Sequence, residues 1–151
     1  MLQQLNLPKY SFKFKELGQR MQIFDAIRKK YIVLSPEEWV RQNFIQYLIQ
    51  EKKYPTSLIS IEMGLKYNNM RKRGDVVIYD NFGKPLLIVE CKAPGINITQ
   101  DTFDQIARYN MVLKVKYLVV SNGLIHYCCR MNYDQPSYTF VQEVPFYLDA
   151  I

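Results

Sequence analysis

Two acidic residues stand at the open end of a predicted β-hairpin. Residues 75–80 and 85–92 are each largely apolar and rich in β-branched side chains, and the polar stretch 81–84 between them is typical of a turn. When the two strands are paired across that turn, Asp75 lies opposite Glu90. Directly opposed residues of two strands point to the same side of a sheet, so two carboxylates meet at this end. Like charges in that position repel, which indicates that a cation compensates them.

A lysine joins the two carboxylates. Lys92 is two residues beyond Glu90 and therefore points to the same side of the sheet. Carboxylates are ligands that Mg²⁺ or Mn²⁺ prefers, and an ammonium group beside them would orient or deprotonate a water molecule or neutralise developing charge. The structural alternative is that Asp75 begins a strand after a glycine and that Glu90 and Lys92 form a salt bridge. The other predicted pairs of the hairpin are Val77 with Ile88 and Tyr79 with Leu86.

Composition predicts one globular domain over residues 1–151. Hydrophobic residues make up 48% of the chain and charged residues 23%, which is typical of a folded core rather than of disorder. No apolar run is long enough to span a bilayer, and the polar start lacks the positive region of a secretion signal, so we expect a cytoplasmic protein without a membrane partner. The net charge of +6 favours anionic partners. The three cysteines lack the spacing of a zinc site and are expected to be buried and reduced.

Helical signals are clearest in two places. Ser35 as an N-cap, Pro36 at the first position and Glu38 in a capping box predict a helix that ends before residue 54. Thr99 is expected to cap a second helix running to about residue 113. The residues predicted to face inward from this second helix are Phe103, Ile106, Ala107 and Asn110. The predicted strands after the first helix are residues 57–67, 73–80, 84–91, 116–121, 124–131 and 137–146.

The order of these elements, αβββαβ followed by further strands, predicts a mixed α/β fold with a mixed sheet flanked by helices. Residues 1–34 are expected to form an N-terminal extension with short strands at 10–15 and 21–24. Residues 35–132 form the predicted core, and residues 133–151 are a C-terminal strand and tail.

This order, with Asp75 and the Glu90-x-Lys92 motif on a hairpin, resembles the restriction-endonuclease-like, or PD-(D/E)xK, nuclease core. More narrowly, the chain resembles the N-terminal nuclease domain of type I restriction enzyme R subunits over roughly residues 35–132. The segments that carry this resemblance are Arg73-Gly74-Asp75, Val89-Glu90-Cys91-Lys92-Ala93-Pro94, Gln105 with Tyr109-Asn110, and Ser121-Asn122-Gly123. The family's R subunits carry a large ATP-driven motor after this domain, whereas this sequence stops at residue 151, so we expect no translocation from it.

The resemblance implies a set of site residues. Asp75, Glu90 and the Cys91 backbone carbonyl would bind Mg²⁺, for which Mn²⁺ would substitute, and Lys92 would act beside them. Gln105 and Tyr109, one helical turn apart, would lie beside the metal and contact DNA or the catalytic groups; the alternative is surface packing at helical spacing.

Related nucleases also place an acidic residue of the first helix at the metal. Glu37 or Glu38 would take that place in this chain, although Glu38 is equally explained by the capping box. Glu62, in the first core strand, is another candidate, or else it lies on a solvated face. The lone His126 is expected to be structural.

A basic run, Arg71, Lys72 and Arg73, directly precedes Asp75. Such runs are usually solvated surface, but this one would lie at the mouth of the site, where phosphates must arrive. Lys66, Lys114 and Lys116 would extend this patch. The expected partners are double-stranded DNA and, by resemblance, the motor, specificity and modification subunits of a restriction system.

These residues are compatible with three functions. The leading one is a metal-dependent DNA endonuclease domain, related to restriction-modification, that hydrolyses phosphodiester bonds. The second is a non-catalytic DNA-binding or scaffold module that keeps the nuclease fold. The third is a nuclease acting on RNA or on another phosphoester, because a fold does not determine its substrate.

Overall fold

The computed structural model of the chain describes residues 2–62, 66–67, 70–71 and 75–151. Its centre is a six-stranded mixed sheet with a helix against each face. In spatial order the strands are β11 (Ser137–Val141), β10 (His126–Asn132), β9 (Tyr117–Ser121), β8 (Pro85–Cys91), β7 (Asp75–Tyr79) and β4 (Ile59–Glu62). Neighbouring strands are antiparallel except for β8 and β9, which are parallel. The predicted mixed α/β fold is therefore confirmed.

Both predicted helices are present. Helix α1 (Pro36–Gln50) begins after Ser35, whose side chain caps it as expected. Helix α2 (Gln100–Met111) begins after Thr99, whose hydroxyl accepts a hydrogen bond from the first turn. This second helix carries the chain from β8 to β9, which is the kind of crossover that two parallel strands require. A short helix α3 (Tyr147–Ala150) follows the last strand, and within the described part of the chain no helix is long and apolar enough to cross a membrane.

The two long helices cover opposite faces of the sheet because successive strand residues point to opposite sides. The side chains buried on the α1 face include Val76, Leu87, Val89, Cys91, Val119 and Cys128. Those buried on the α2 face include Val77, Ile88, Leu118, Val120 and Cys129, together with Phe103, Ile106 and Ala107 of α2 itself. Alternation along β8 therefore assigns Cys91 to the α1 face and Glu90, two residues beyond Ile88, to the α2 face.

The N-terminal residues are more ordered than the two short strands predicted from the sequence. A separate antiparallel sheet is formed by β1 (Phe14–Leu17), β2 (Arg20–Asp25) and β3 (Lys30–Val33), in that order. It packs against α1 through aromatic contacts, with the rings of Phe14 and Trp39 6.4 Å apart. This segment therefore forms a small sheet through backbone pairing between neighbouring strands and aromatic packing against α1.

Two strands differ from their predicted lengths. The first core strand does not start at residue 57, because a 3₁₀ turn (Thr56–Leu58) follows Pro55 and β4 begins only at Ile59. Beyond β4, the two-residue strands β5 (Lys66–Tyr67) and β6 (Met70–Arg71) pair only with each other. The last strand, β11, stops well before residue 146; Pro145 has no backbone N–H to donate to a ladder and introduces α3 instead.

Candidate active site

The carboxyl end of β8 presents a buried carboxylate. Glu90 is only 7% exposed, and its backbone lies beside Val120 of the parallel strand β9. Acidic residues are rarely this buried unless they are paired. Its neighbour Cys91 turns into the core on the α1 face, so its side chain takes no part in a site on the α2 face.

Lys92 lies directly beside this carboxylate. The Lys92 Nζ and Glu90 Oε1 atoms are 3.5 Å apart, and about a third of the lysine side chain (32%) remains exposed. The backbone N–H of Lys92 donates to the Ser121 carbonyl oxygen at 2.8 Å, which fixes this residue to the end of β9. An ammonium group that is partly exposed and held beside a buried carboxylate is well placed to meet an anion arriving from solvent.

The strand β7 brings the second acidic position to the same end of the sheet. Val76 pairs with Val89 and Val77 with Ile88, in the register predicted from the sequence. Extending this ladder by one residue places the backbone of Asp75 opposite Glu90, and on its other side Asp75 pairs with Glu62 of β4. Positions 62, 75 and 90 therefore form one row across three neighbouring strands.

One part of the predicted register is wrong. Tyr79 pairs with Pro85 rather than with Leu86, because the ladder shifts at a bulge between Ile78 and Tyr79. The turn that follows is closed by Asp80, whose Oδ1 accepts hydrogen bonds from the backbone N–H groups of residues 82 and 84. A bulge lets this tighter, side-chain-stabilised turn connect the strands without changing the pairing near Glu90.

The two predicted site residues of α2 differ in burial. Tyr109 is 7% exposed, whereas Gln105, one turn earlier, is exposed. The next residue, Asn110, is fully buried and donates from Nδ2 to the Ile106 carbonyl oxygen at 2.8 Å. Its Oδ1 has no hydrogen-bond partner among the described residues. Of the pair predicted to work together, only Tyr109 belongs to the interior.

The acidic residues of α1 are held by arginines. Glu38 is 8% exposed; its Oε1 accepts from Arg41 at 2.7 Å and from Arg28 at 3.2 Å, and its Oε2 accepts from Gln42 at 3.0 Å. The Glu37 carboxylate also accepts from Arg41, at 2.9 Å. The Glu38 side chain thus turns away from the helix cap, and only the first half of the predicted capping box, in which its N–H donates to the capping serine, is formed.

Sequence reasoning missed the residue that anchors this network. Asp25, at the end of β2, is fully buried and accepts four hydrogen bonds. The donors are the backbone N–H groups of Ile27 and Arg28, the Arg28 side chain and the Gln42 amide. Burial alone would raise the pKa of Asp25, but the hydrogen bonds from Arg28 and Gln42 outweigh it and hold the pKa below its ordinary value. An Asp that caps its own turn, followed three residues later by Arg, was the available sequence signal.

Arg41 links this network to β8. It is 5% exposed, and besides the two carboxylates of α1 it has the thiol of Cys91 in its surroundings, on the same face of the sheet. Burial alone would lower the pKa of Arg41, but Cys91, Glu38 and Glu37 outweigh it and the net shift is upward. Helix α1 therefore reaches the strand end that carries Glu90, but from the opposite face of the sheet.

The loop after β9 closes the same end of the molecule. Asn122 accepts at Oδ1 from the N–H groups of Leu124 and Ile125 and donates from Nδ2 to the Ile96 carbonyl oxygen. His126 accepts at Nδ1 from the Ser121 hydroxyl and donates from Nε2 to the Asn6 carbonyl oxygen, a proton arrangement inferred from these partners. Burial lowers the pKa of His126, so its neutral form ties the N-terminal segment to this loop.

The predicted basic patch falls largely outside what the structure describes. Arg71 belongs to the short strand β6 and Lys66 to β5, while Lys72 and Arg73 lie outside the described residues. Among the described residues, no three His, Cys, Asp or Glu side chains are grouped closely enough to hold a metal ion. What the described side chains do bring together is Glu90 with Lys92, beside the row that contains positions 62 and 75.

Comparison with known proteins places this chain in a family. A sequence model described as type I restriction enzyme R protein N terminus (HSDR_N) matches residues 36–145. "Uncharacterized protein L3" of Acanthamoeba polyphaga mimivirus is 29% identical over 116 residues, which are 73% of this chain and 16% of that protein. A fragment described as a putative HsdR subunit of a type I restriction enzyme from Vibrio vulnificus YJ016 is 17% identical, with a TM-score of 0.48 over 74% of this chain and 24% of that one.

This chain therefore spans less than a quarter of the length of these two proteins. The family match, in contrast, covers well over half of the chain and includes α1, the whole six-stranded sheet and α2. It also includes Glu90, Lys92 and the register position of Asp75. The chain belongs to the family of type I restriction enzyme R protein N-terminal domains.

Proposed function

We propose that this domain is a metal-dependent endonuclease domain of a restriction system, which hydrolyses phosphodiester bonds of double-stranded DNA. The observation that carries the proposal is the buried Glu90 carboxylate with Lys92 Nζ 3.5 Å away, at the strand end where the backbone of Asp75 also lies. In a chain of this family, a buried acid–lysine pair at that position is better explained by chemistry than by stability, because buried ion pairs contribute little to stability.

The donor set fits Mg²⁺ or Mn²⁺. Glu90 and Asp75 would supply carboxylate oxygens and Cys91 its backbone carbonyl, and hard divalent cations prefer oxygen ligands of this kind. Glu62, the strand partner of Asp75, is a further candidate ligand. When bound, the ion would polarise the phosphate and lower the pKa of a water molecule.

The chain's own residues would then orient the phosphate. Lys92, held by its backbone bond to β9 and by Glu90, would pair with a phosphate oxygen and stabilise the charge that develops on it. Tyr109 and Gln105 are proposed to support the site and the DNA from α2, and Arg71, Lys72 and Arg73 to contact flanking phosphates. Glu38 is assigned a structural role, because both of its oxygens already accept hydrogen bonds.

A plasmid-nicking assay tests the proposal. With Mg²⁺ or Mn²⁺ the wild-type chain should nick supercoiled DNA, and Lys92→Ala should not, although it should still bind DNA and metal, because the lysine acts on the transition state rather than on binding. Lys84→Ala, an exposed lysine of the β7–β8 turn, is the matched control and should nick normally. Nicking by Lys92→Ala at the wild-type rate would reject the assignment. If the isolated chain is inactive, the same comparison is made with motor and recognition subunits added, since these are its proposed partners.

The alternative is a non-catalytic DNA-binding or scaffold module. The same ion pair also supports this alternative, because Lys92 already neutralises the Glu90 carboxylate without a metal. The two functions differ in one readout: a scaffold would bind DNA equally well with and without divalent cations, and no combination of subunits would make cleavage depend on Lys92.

A further inference from the structure

The small N-terminal sheet holds most of the chain's net charge. Residues 9–31 contain seven lysines and arginines but only two acidic residues, a net charge of +5, whereas the whole chain carries +6. The family match begins only at residue 36, so this sheet lies outside it. A concentrated positive charge on an added element indicates an anionic partner of its own.

One face of this sheet packs against α1, and the other faces outward. Ile23 is fully buried, and Phe14, its strand partner, packs against Trp39 of α1, so this face is the inner one. Phe24 pairs with Tyr31 in the next register position, and side chains alternate along each strand, so these two rings belong to the outer face. Tyr31 is 36% exposed and Phe24 is half-buried.

Cations flank both rings on this outer face. Lys13 Nζ is 5.9 Å from the centre of the Phe24 ring, and Lys15 Nζ is 5.6 Å from the centre of the Tyr31 ring. The two rings contact each other at 5.2 Å between centroids. Arg20, four residues before Phe24 on β2, continues the row of cations on the same face. Aromatic rings and lysines thus lie next to one another on this face of the small sheet.

The acidic residues of the segment lie elsewhere. Glu16 pairs with Met21, a register position that belongs to the inner face. Asp25 is fully buried and paired with Arg28. Among residues 9–33, all of which the structure describes, the outer face therefore carries positive charge without a compensating carboxylate.

We propose that this outer face binds single-stranded nucleic acid: Lys13 and Lys15 turn from the ring faces to contact phosphates, as Arg20 does, and Tyr31 and Phe24 then stack on bases. Rings stack only on bases whose faces are open, which a duplex does not offer, and a positively charged surface follows the phosphate backbone of a single strand. An acidic peptide would use the lysines but would have no use for the rings. This inference rests on the proposed function, which supplies the kind of partner, a nucleic acid. It adds the surface on which a single strand of that nucleic acid would be bound.

Fluorescence anisotropy on the full chain, with EDTA present so that no cleavage intervenes, tests this binding. The probes are labelled oligo(dT) of about 20 nucleotides, long enough for the roughly 4–16 nucleotides that a comparable surface covers, and a duplex of equal length. Tyr31→Leu, which keeps an apolar side chain, should weaken oligo(dT) binding about tenfold and leave duplex binding unchanged. Lys13→Gln combined with Lys15→Gln should lower the slope of log affinity against log salt by about 1.4, since each lost phosphate contact is worth ~0.7.

Matched controls lie on other elements. Phe82→Leu removes a ring that is 88% exposed in the β7–β8 turn, and Lys84→Gln with Arg130→Gln removes two exposed charges. Neither control should change oligo(dT) binding. Equal effects of a variant and its control, or equal loss of duplex and single-strand binding in Tyr31→Leu, would overturn the proposal. Oligo(rU) is measured in parallel, and tight binding of either sugar type supports it.

A second measurement does not depend on any variant's folding. Photo-crosslinking of wild-type protein to an oligonucleotide containing 5-iododeoxyuridine should join the peptide that contains Phe24 and Tyr31, and crosslinks confined to other peptides would overturn the inference. Because binding is measured without metal, its failure is separable from failure of catalysis. Oligo(dT) binding with no Lys92-dependent nicking, even after motor and recognition subunits are added, contradicts only the proposed nuclease. Lys92-dependent nicking without oligo(dT) binding contradicts only this surface.

Discussion

Replacing Asp25 with alanine should strongly destabilise the protein, although Asp25 is far from the proposed chemistry in sequence. The fully buried carboxylate accepts hydrogen bonds from two backbone N–H groups, from the Arg28 side chain at 2.6 Å and from Gln42 at 3.0 Å. Asp25→Ala leaves all four donors without this acceptor. It also removes a carboxylate that pairs with Arg28, whose side chain is only 19% exposed, while Glu38 still pairs with this arginine.

The size of the effect follows from this burial. Removing one partner of a buried, hydrogen-bonded ion pair destabilises a protein by about 3–5 kcal/mol. Natural domains have only about 5–15 kcal/mol in total, so the loss is a large fraction of it. For a chain of this length each kcal/mol lowers the melting temperature by about 2–4 °C, so Asp25→Ala should lower it by about 6–20 °C.

Thermal melting, with amide hydrogen exchange as a second readout, measures this loss. Asp134→Ala, which removes an exposed carboxylate, is the control and should change stability by no more than about 0.5 kcal/mol. If the network mainly holds the small sheet, exchange over residues 14–33 should rise even where the melting temperature changes less. The reasoning fails if Asp25→Ala matches Asp134→Ala in both measurements.

The pH dependence adds an independent check. Hydrogen bonds hold the pKa of Asp25 below its ordinary value of 3.8, so above that value the carboxylate contributes its full stabilisation. As the pH falls toward the lowered pKa, the unfolded chain takes up the proton first and this stabilisation is lost. The difference in stability between wild type and Asp25→Ala should therefore shrink below pH 3.8. A difference that stays constant down to strongly acidic pH would show that the ionised carboxylate is not the source of the stabilisation.

Three more predictions concern other buried or paired groups. Burial lowers the pKa of His126 below its ordinary 6.5, so the unfolded chain binds the proton first and stability should fall as the pH drops below that value; melting curves of His126→Asn should lack this slope. Burial raises the pKa of Cys128 and Cys129 to about 12, so a thiol reagent should label neither at neutral pH until the protein is unfolded, and rapid labelling of native protein would contradict their burial. Millimolar Mg²⁺ or Mn²⁺ should stabilise the wild type against thermal unfolding, by about 2.7 kcal/mol at a hundred times Kd, but should not stabilise Asp75→Asn; no effect on the wild type would favour the scaffold function.

The sequence predicted the parts of the fold that depend on local chemistry. Ser35 and Thr99 cap their helices because their side-chain hydroxyls accept hydrogen bonds from N–H groups of the first turn. The pairing of Val77 with Ile88 followed from centring a glycine-containing turn between two apolar strands. The same reasoning gave the wrong partner for Tyr79. The bulge there depends on how the turn closes, and it does not alter the pattern of apolar residues in the sequence.

Long-range polar contacts could not be predicted from the sequence. Nothing in the pattern around Asp25 shows that it will meet Gln42, because that contact depends on how a small sheet docks on a helix. Likewise, Glu38 had two plausible local roles, and the structure gives it a third, as an acceptor for Arg28 and Arg41. Charged residues look alike in a sequence whether they are solvated or buried, and only tertiary packing separates the two.

Helix α1 connects the two surfaces proposed to contact nucleic acid. Through Glu38 and Gln42 it holds β2 and its Arg28 turn, while Val40 and Phe44 on the same helix belong to the core cluster that contains Val89 and Cys91 of β8. The buried hydrogen bonds on one side of this helix and the packed apolar side chains on the other leave it few alternative positions. We therefore expect the proposed single-strand surface to keep a fixed orientation relative to the Glu90–Lys92 pair, so that a strand bound at the first would meet the second at a constant distance.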